Sequence, residues 1–401
     1  MEVKAFNLLI EAAEIAENTE IIDLVKFSLN NPLKLSSELL RQVVIHSHFR
    51  AKINKKVHDW ANVKTLIAPP KLSVEQCSSS FSANYKKSLM KGSSALDLTG
   101  GLGVDSYYLS QNFKDFTYNE LNPNLFEIAK FNFQQLKVNN VSFTNLDAET
   151  FLKTTNKRFD LVYLDPARRD SENKKLFKME DCQPNLLELK DELFEITTTI
   201  LVKFSPILDL KLAIKKVKNI HTIIILCEKN EIKEILLLLK PFENFDPIIK
   251  CLNETTQGQK QNFEFRFSEE ENCQINYSLP QQYLYEANAS LIKAGAFKLL
   301  AEKFELQKIA PNSHLYTSDK INYHFPGRIF KIINQVNYDK KKIQTAIPSL
   351  KANISCRNFP YNPGEIKKNM GLKEGGENYL FFSENHLNQK IVLICTKINV
   401  T

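Results

Sequence analysis

Glycine is scarce in this chain, at 11 of 401 residues, and cysteine is thinly scattered. The seven cysteines, at positions 77, 182, 227, 251, 273, 356 and 395, never approach a Cys-x-x-Cys spacing. A disulfide framework and a structural zinc site are therefore not expected, and no metal ligand set is assigned. His46 and His48 stand two apart, which on a helix sends them to different faces, and His58 follows ten residues later. They read as surface or packing histidines, since metal ligands must converge on one point. Long apolar runs are also missing. Residues 222–227 and 235–239 fall far short of the ~20 needed to span a bilayer, and read as a core strand and a core helix. The opening MEVKAFNLLIEAAEIAE lacks the basic start and small-residue cleavage site of a secretory signal, so a cytoplasmic protein is expected. With 43% hydrophobic and 25% charged residues the composition is that of a globular protein, long enough for two or three domains of ~150 residues.

What the chain does have is unevenly placed. The formal net charge of +7 divides into +3 over residues 1–90, −4 over 91–280 and +8 over 281–401. Clustered basic charge makes the C-terminal third the candidate for meeting a polyanion, against the alternative of a plainly solvated lysine surface. Three of the eleven glycines fall within four positions, Gly100, Gly101 and Gly103. In a glycine-poor chain such clustering implies a backbone requirement, because glycine tolerates positive φ and lets a ligand approach the main chain.

Residues 5–62 show helical periodicity, with Phe6, Leu9, Ile10 and Ala13 at three- and four-residue steps and Ser36 or Ser37 as a helix cap. Pro69 and Pro70 end this stretch. From Ser94 the pattern alternates short β-rich runs (95–98, 116–118, 141–145, 161–164, 200–203, 222–227) with helices beginning near Asp105, Asn124, Gln183, Leu208 and Glu231. That alternation predicts a doubly wound α/β domain. The stretch FEFRF with its acidic EEEN reads as an edge strand or bridging element, and the remainder as a separate α/β module with a helix over 289–304 and another over 363–370. The expected domains are 1–70, 71–250, 251–285 and 286–401.

The strand end at Asp97 runs through Thr99, Gly100, Gly101 and Gly103 to Asp105 and a helix, the strand-turn-helix that binds the nucleotide part of a ligand in a doubly wound sheet. Glu120 closes the next strand, and Asp147 and Ala148 follow the third. The spacing places one acid where two ribose hydroxyls would lie and another where an adenine amine could donate, which implies an adenosine moiety. A dinucleotide fingerprint needs a third glycine at position 106, which is serine, so S-adenosyl-L-methionine fits better. The fourth strand ends in Asp165, Pro166, Ala167 and Arg168, where proline stops the strand and leaves the Asp165 carboxylate facing whatever lies beside the cofactor, as a proton acceptor would. The fifth ends in Lys203, Phe204, Ser205 and Pro206 on the same rim.

These motifs resemble the class I S-adenosylmethionine-dependent methyltransferases over residues 73–230. The resemblance implies that Asp97 to Gly103 wrap the methionine end, that Glu120 binds ribose, that Asp147 meets adenine, and that Gln76, in EQCSS, lies in an extra motif against the cofactor. Asp165 to Arg168 match the position of a motif used on exocyclic amines of nucleic-acid bases. The C-terminal module, with YLYEANASLIKAGAF, FPGRIFKI and GGENYLFF, looks like the THUMP-like domain that accompanies a methyltransferase in Bacteroidetes-type proteins. Thr99 replaces the first glycine of the usual loop, and Ala167 and Arg168 replace a proline and an aromatic, so a stacking platform for a flipped base is missing there. Arg168 could stack by its guanidinium plane or pair with a phosphate. Phe204 occupies the slot where uracil-carbon methyltransferases need a cysteine nucleophile, which favours direct transfer to nitrogen.

The reading is an RNA base methyltransferase, acting on tRNA or rRNA, with a helical N-terminal domain, a Rossmann-like core and a basic docking module. Asp165, Pro166, Arg168 and Lys203 are the expected catalytic set. Lys293, Arg328, Arg357 and Phe359 are expected at the RNA, with Tyr316 and Tyr361 as further stacking surfaces. The alternatives are a non-catalytic RNA-binding protein that keeps the fold, or a methyltransferase of proteins or small molecules.

Overall fold

A computed structural model describes residues 3–168 and 179–399. The chain forms two compact units, Met1–His221 with Lys233–Phe245, and Thr222–Ile232 with Asp246–Thr401. In the first, β1 (Gly92–Asp97) is flanked in parallel by β2 (Phe113–Asn119) and β4 (Leu161–Leu164), and β3 (Val141–Thr144) lies outside β2. Strand Ile200–Phe204 continues in parallel beyond β4. The chain therefore runs outward from β1 to β3 and returns to the other side at β4. In doubly wound sheets a ligand crevice lies outside the carboxyl ends of the strands at such a reversal, here β1 and β4. Helices between the strands start on side-chain caps: Asn122 and Pro123 begin Pro123–Gln135, and Asp209 begins Leu210–Val217.

The helix expected from Glu231 is instead the strand Glu231–Leu239, antiparallel to Ile200–Phe204 through residues 235–239. Ile235, Leu236, Leu237 and Leu239 are all fully buried. A segment enclosed on both faces has no polar stripe to show a helical period, and its continuous apolar run is that of an inner strand. A short helix that periodicity did not reveal, Ala148–Thr154, follows β3, and the helix expected near Gln183 starts at Leu186 on an Asn185 cap.

No boundary between compact units falls near residue 70. Ala13, Ile67 and Ile128 share one apolar cluster, with Phe6, Leu9 and Ile10 against it. Asn132 bonds both the backbone N–H and the carbonyl of Ile67. His46 is a packing histidine: its Nε2 accepts from the Ala68 N–H at 2.8 Å, and Nδ1 lies 2.9 Å from the Gln42 carbonyl. Ser36 caps Ser37–Lys56 as expected.

In the second unit Ile248–Glu254 pairs in parallel with Ile220–Glu228 and antiparallel with Lys260–Arg266, the expected FEFRF strand; EEEN lies in a helix, Phe267–Asn272. A seven-stranded sheet follows in the order Gln307–Lys308, Leu315–Ser318, Tyr283–Ala287, Gly327–Asn337, Lys390–Ile398, Asn378–Glu384, Asn353–Arg357. The helix expected over 289–304 is two, Ala289–Ala294 and Lys298–Lys303, parted where Gly295 takes φ +77°. Among the described residues no helix is long and apolar enough to cross a membrane.

Candidate active site

The loop after β1 is shaped by what stands beneath it. A Cβ on Gly100 would sit 2.1 Å from the Tyr118 ring, and one on Gly103, at φ +89°, would meet Phe133 at 2.5 Å. The Tyr118 hydroxyl donates to the Gly101 carbonyl at 2.6 Å, fastening loop to strand. The glycine cluster thus answers a close approach and a left-handed turn. Asp97, 1% exposed, accepts from the Thr99 N–H at 3.0 Å and from Ser106 Oγ at 2.5 Å, so the serine where a third glycine was sought ties the helix to the strand end.

Burial raises the Asp97 carboxyl to about 7, against the opposing pull of those two hydrogen bonds. With a folded pKa above the usual 3.8, the fold holds a proton that the unfolded chain releases; this stabilisation is complete below pH 3.8 and is lost as pH rises through about 7. Asp97→Asn is expected to flatten the fall in thermal midpoint between about pH 4 and about pH 7. Calorimetric curves running parallel to the wild type would refute this.

Glu120 is held at both oxygens: Oε2 accepts from the Gly101 N–H and Oε1 from the Asn122 N–H, each at 2.8 Å. Half of its four acceptor positions remain for a ligand. Asp147 is the cap of Ala148–Thr154, accepting from the Thr150 N–H at 2.7 Å and the Thr150 hydroxyl at 2.8 Å, and these bonds hold its carboxyl below the ordinary value. Ala148 is buried beside it, and Gln76 is exposed at the end of Lys71–Gln76.

Asp165 meets the loop directly. Its backbone N–H donates to Thr99 Oγ1 at 2.6 Å, so the residue that replaces the first glycine couples the ends of β1 and β4. Asp165 Oδ2 lies 2.5 Å from Lys203 Nζ, on the adjacent strand end; the Asp165 side chain is 37% exposed and that of Lys203 11%. Burial would lower the Lys203 ammonium, but Asp165, Asp105 and Glu234 overcome it and raise it. Pro166 is buried, and the side chain of Arg168 lies outside the described residues.

Asp105 does not face the loop. It turns inward, with Oδ1 3.0 Å from Lys86 Nζ and Oδ2 accepting from Ser78 Oγ at 2.9 Å and the Tyr163 hydroxyl at 2.7 Å. This places it in a buried network, where Lys86, wholly enclosed, needs carboxylates around it. Lys86 also donates to Glu234 Oε1 at 2.6 Å and to Ser78 at 2.8 Å. Burial alone would raise Asp105, yet Lys86 and Lys203 bring it below the ordinary carboxylate value. Sequence reasoning missed Lys86, Tyr163 and Glu234, for Lys86 reads like its exposed-looking neighbour Lys87.

In the second unit Tyr316 is fully buried with its hydroxyl on the Phe297 carbonyl, so it offers no stacking surface. Phe359 packs, partly buried, against the cluster of Ile343, Met370 and Phe382 and is not a free platform. Lys293 is half-buried. Arg328 and Arg357 come together on Glu286.

Residues 78–202 match the family conserved hypothetical protein 95, residues 283–326 a ferredoxin-like domain and residues 327–397 a THUMP domain-like family. A crystal structure of a Porphyromonas gingivalis W83 protein, provisionally named a methyltransferase, superposes with a TM-score of 0.88 and 28% identity, covering 100% of both chains. The chain has a methyltransferase fold and a THUMP-like domain. The methyltransferase core is the first unit, and the crevice between β1 and β4 is its candidate site. An uncharacterized RNA methyltransferase of Mycoplasma mobile is 36% identical over 97 residues, 24% of this chain and 25% of that one. The chain thus spans about a quarter of the length of this curated relative.

Proposed function

We propose that the chain uses S-adenosyl-L-methionine to methylate a base nitrogen in RNA. The residues of the crevice fit the cofactor. A Cβ placed on Gly101 would meet only the Thr99 carbonyl, at 3.8 Å, which leaves an open cradle on the outer side of the loop. Glu120 keeps two acceptor positions for ribose hydroxyls while the loop holds its other two, and Ala148 and the Asp147 rim would border adenine. Bound there, the cofactor supplies an electrophilic methyl group on a sulfonium.

The observation that carries the proposal is Asp165. Lys203 and the Thr99 hydroxyl fix one carboxylate oxygen and the backbone, while the side chain stays 37% exposed at the mouth of the crevice. Asp165 then accepts a hydrogen bond from the base N–H, orients the nitrogen lone pair toward the methyl carbon and takes up the proton released on transfer. Lys203 holds the carboxylate in place for this purpose. The names of the Mycoplasma mobile relative and the match to the THUMP domain-like family support RNA as the substrate.

Incubation with radiolabelled S-adenosylmethionine and RNA from cells lacking the protein is expected to put ribonuclease-sensitive label into one nucleoside, identified by mass spectrometry. Label confined to protein or small molecules would overturn the RNA assignment. Glu120→Ala is expected to weaken cofactor binding by about tenfold to a hundredfold in calorimetry, since a hydrogen bond to a charged group contributes roughly 1.5 to 3 kcal/mol. Unchanged affinity would remove Glu120 from the ribose site.

A further inference from the structure

The ion pairs around Glu286 are unusual in their count. Glu286, its side chain 3% exposed, takes Nε and Nη2 of Arg328 on Oε2, and Nε and Nη2 of Arg357 on Oε1 at 3.2 and 2.9 Å, with Ser355 Oγ at 3.0 Å. Three strands stand between Tyr283–Ala287 and Asn353–Arg357 in the sheet order, so the sheet must coil to bring Arg357 here. Five donors saturate the carboxylate. One arginine would have neutralised it; the second leaves a surplus positive charge on two guanidiniums that are 40% and 37% exposed. Each guanidinium has five N–H groups and spends two on Glu286, leaving three, in the planar fork that matches phosphate oxygens. His314 senses the same field: burial, Lys308 and Arg357 lower it to about 4.

We propose that Arg328 and Arg357 together bind one backbone phosphate of single-stranded RNA, with Glu286 holding the two guanidiniums side by side. The choice of RNA over free phosphate rests on the function proposed above. The test uses the full chain and an unstructured twelve-nucleotide RNA, with anisotropy read across a salt series. Paired replacement Arg328→Gln with Arg357→Gln is expected to make the log–log salt slope shallower by about 0.7, the value for one phosphate on a single strand. A change of about 1.4 would mean two separate phosphates and would overturn the shared site. Arg328→Lys and Arg357→Lys keep the charge and lose the fork, so each should weaken binding about threefold to tenfold with the slope unchanged. Effects no larger than that of Lys260→Gln, at an exposed lysine of the same unit, would reduce the pair to general attraction and overturn the proposal. Inorganic phosphate, followed by the His314 ring resonances, separates the two readings. If phosphate shifts His314 but RNA does not bind, the phosphate site stands and the RNA partner falls; if neither perturbs the protein, the site itself is wrong.

Discussion

Asp165→Asn is expected to slow methyl transfer by about 10² to 10⁴, the range for removing a positioned proton acceptor, while cofactor affinity stays near wild type. The substitution keeps the size of the side chain and its backbone bond to Thr99, but removes the anion that Lys203 faces and that a base N–H would donate to. Single-turnover rates measured with saturating cofactor isolate this step from binding. Lys203→Met should give a smaller loss, because the carboxylate survives but is no longer held. An Asp165→Asn protein with full turnover on its RNA would end the assignment of Asp165.

Lys86→Met is expected to cost about 3 to 5 kcal/mol, the scale for removing one partner of a buried ion pair, and to lower the thermal midpoint on the order of 10 °C. Lys86 has no exposure and serves Asp105, Glu234 and Ser78 together. Without it two carboxylates remain enclosed with less compensation. Adding Glu234→Gln to Lys86→Met should recover part of the loss, so that the two costs are far from additive. Simple additivity in a thermal double-mutant cycle would show that Lys86 and Glu234 do not act as a pair.

The sequence made the rim of the site legible because strand ends announce themselves. A small-residue loop after Asp97, an acid at Glu120 and a proline after Asp165 are local signals, each readable within ten residues. The support beneath the rim was not legible. Lys86 meets Glu234 across 148 positions and Glu286 meets Arg357 across 71, and nothing local marks a lysine or glutamate as one whose partner lies so far away. The same holds for Asp105: beside Gly103 it reads as a loop acid, and nothing local shows its pairing with the enclosed Lys86. The strand Glu231–Leu239 escaped because a run buried on both faces carries neither the helical nor the strand period.

The chain leaves the methyltransferase core after His221, returns at Lys233 and departs again after Phe245. Synthesis from the N-terminus therefore delivers the strand ends at Asp97 and Asp165 well before the core can close. Until residues 233–245 emerge from the ribosome, Ile200–Phe204 presents an unpaired strand edge and Lys86 lacks Glu234. A chain stopped at residue 221 would not be a smaller catalyst. It would carry an open strand edge at Ile200–Phe204. The same threading denies proteolysis a clean cut between the two units, since the strand that completes the first is encoded behind a segment belonging to the second.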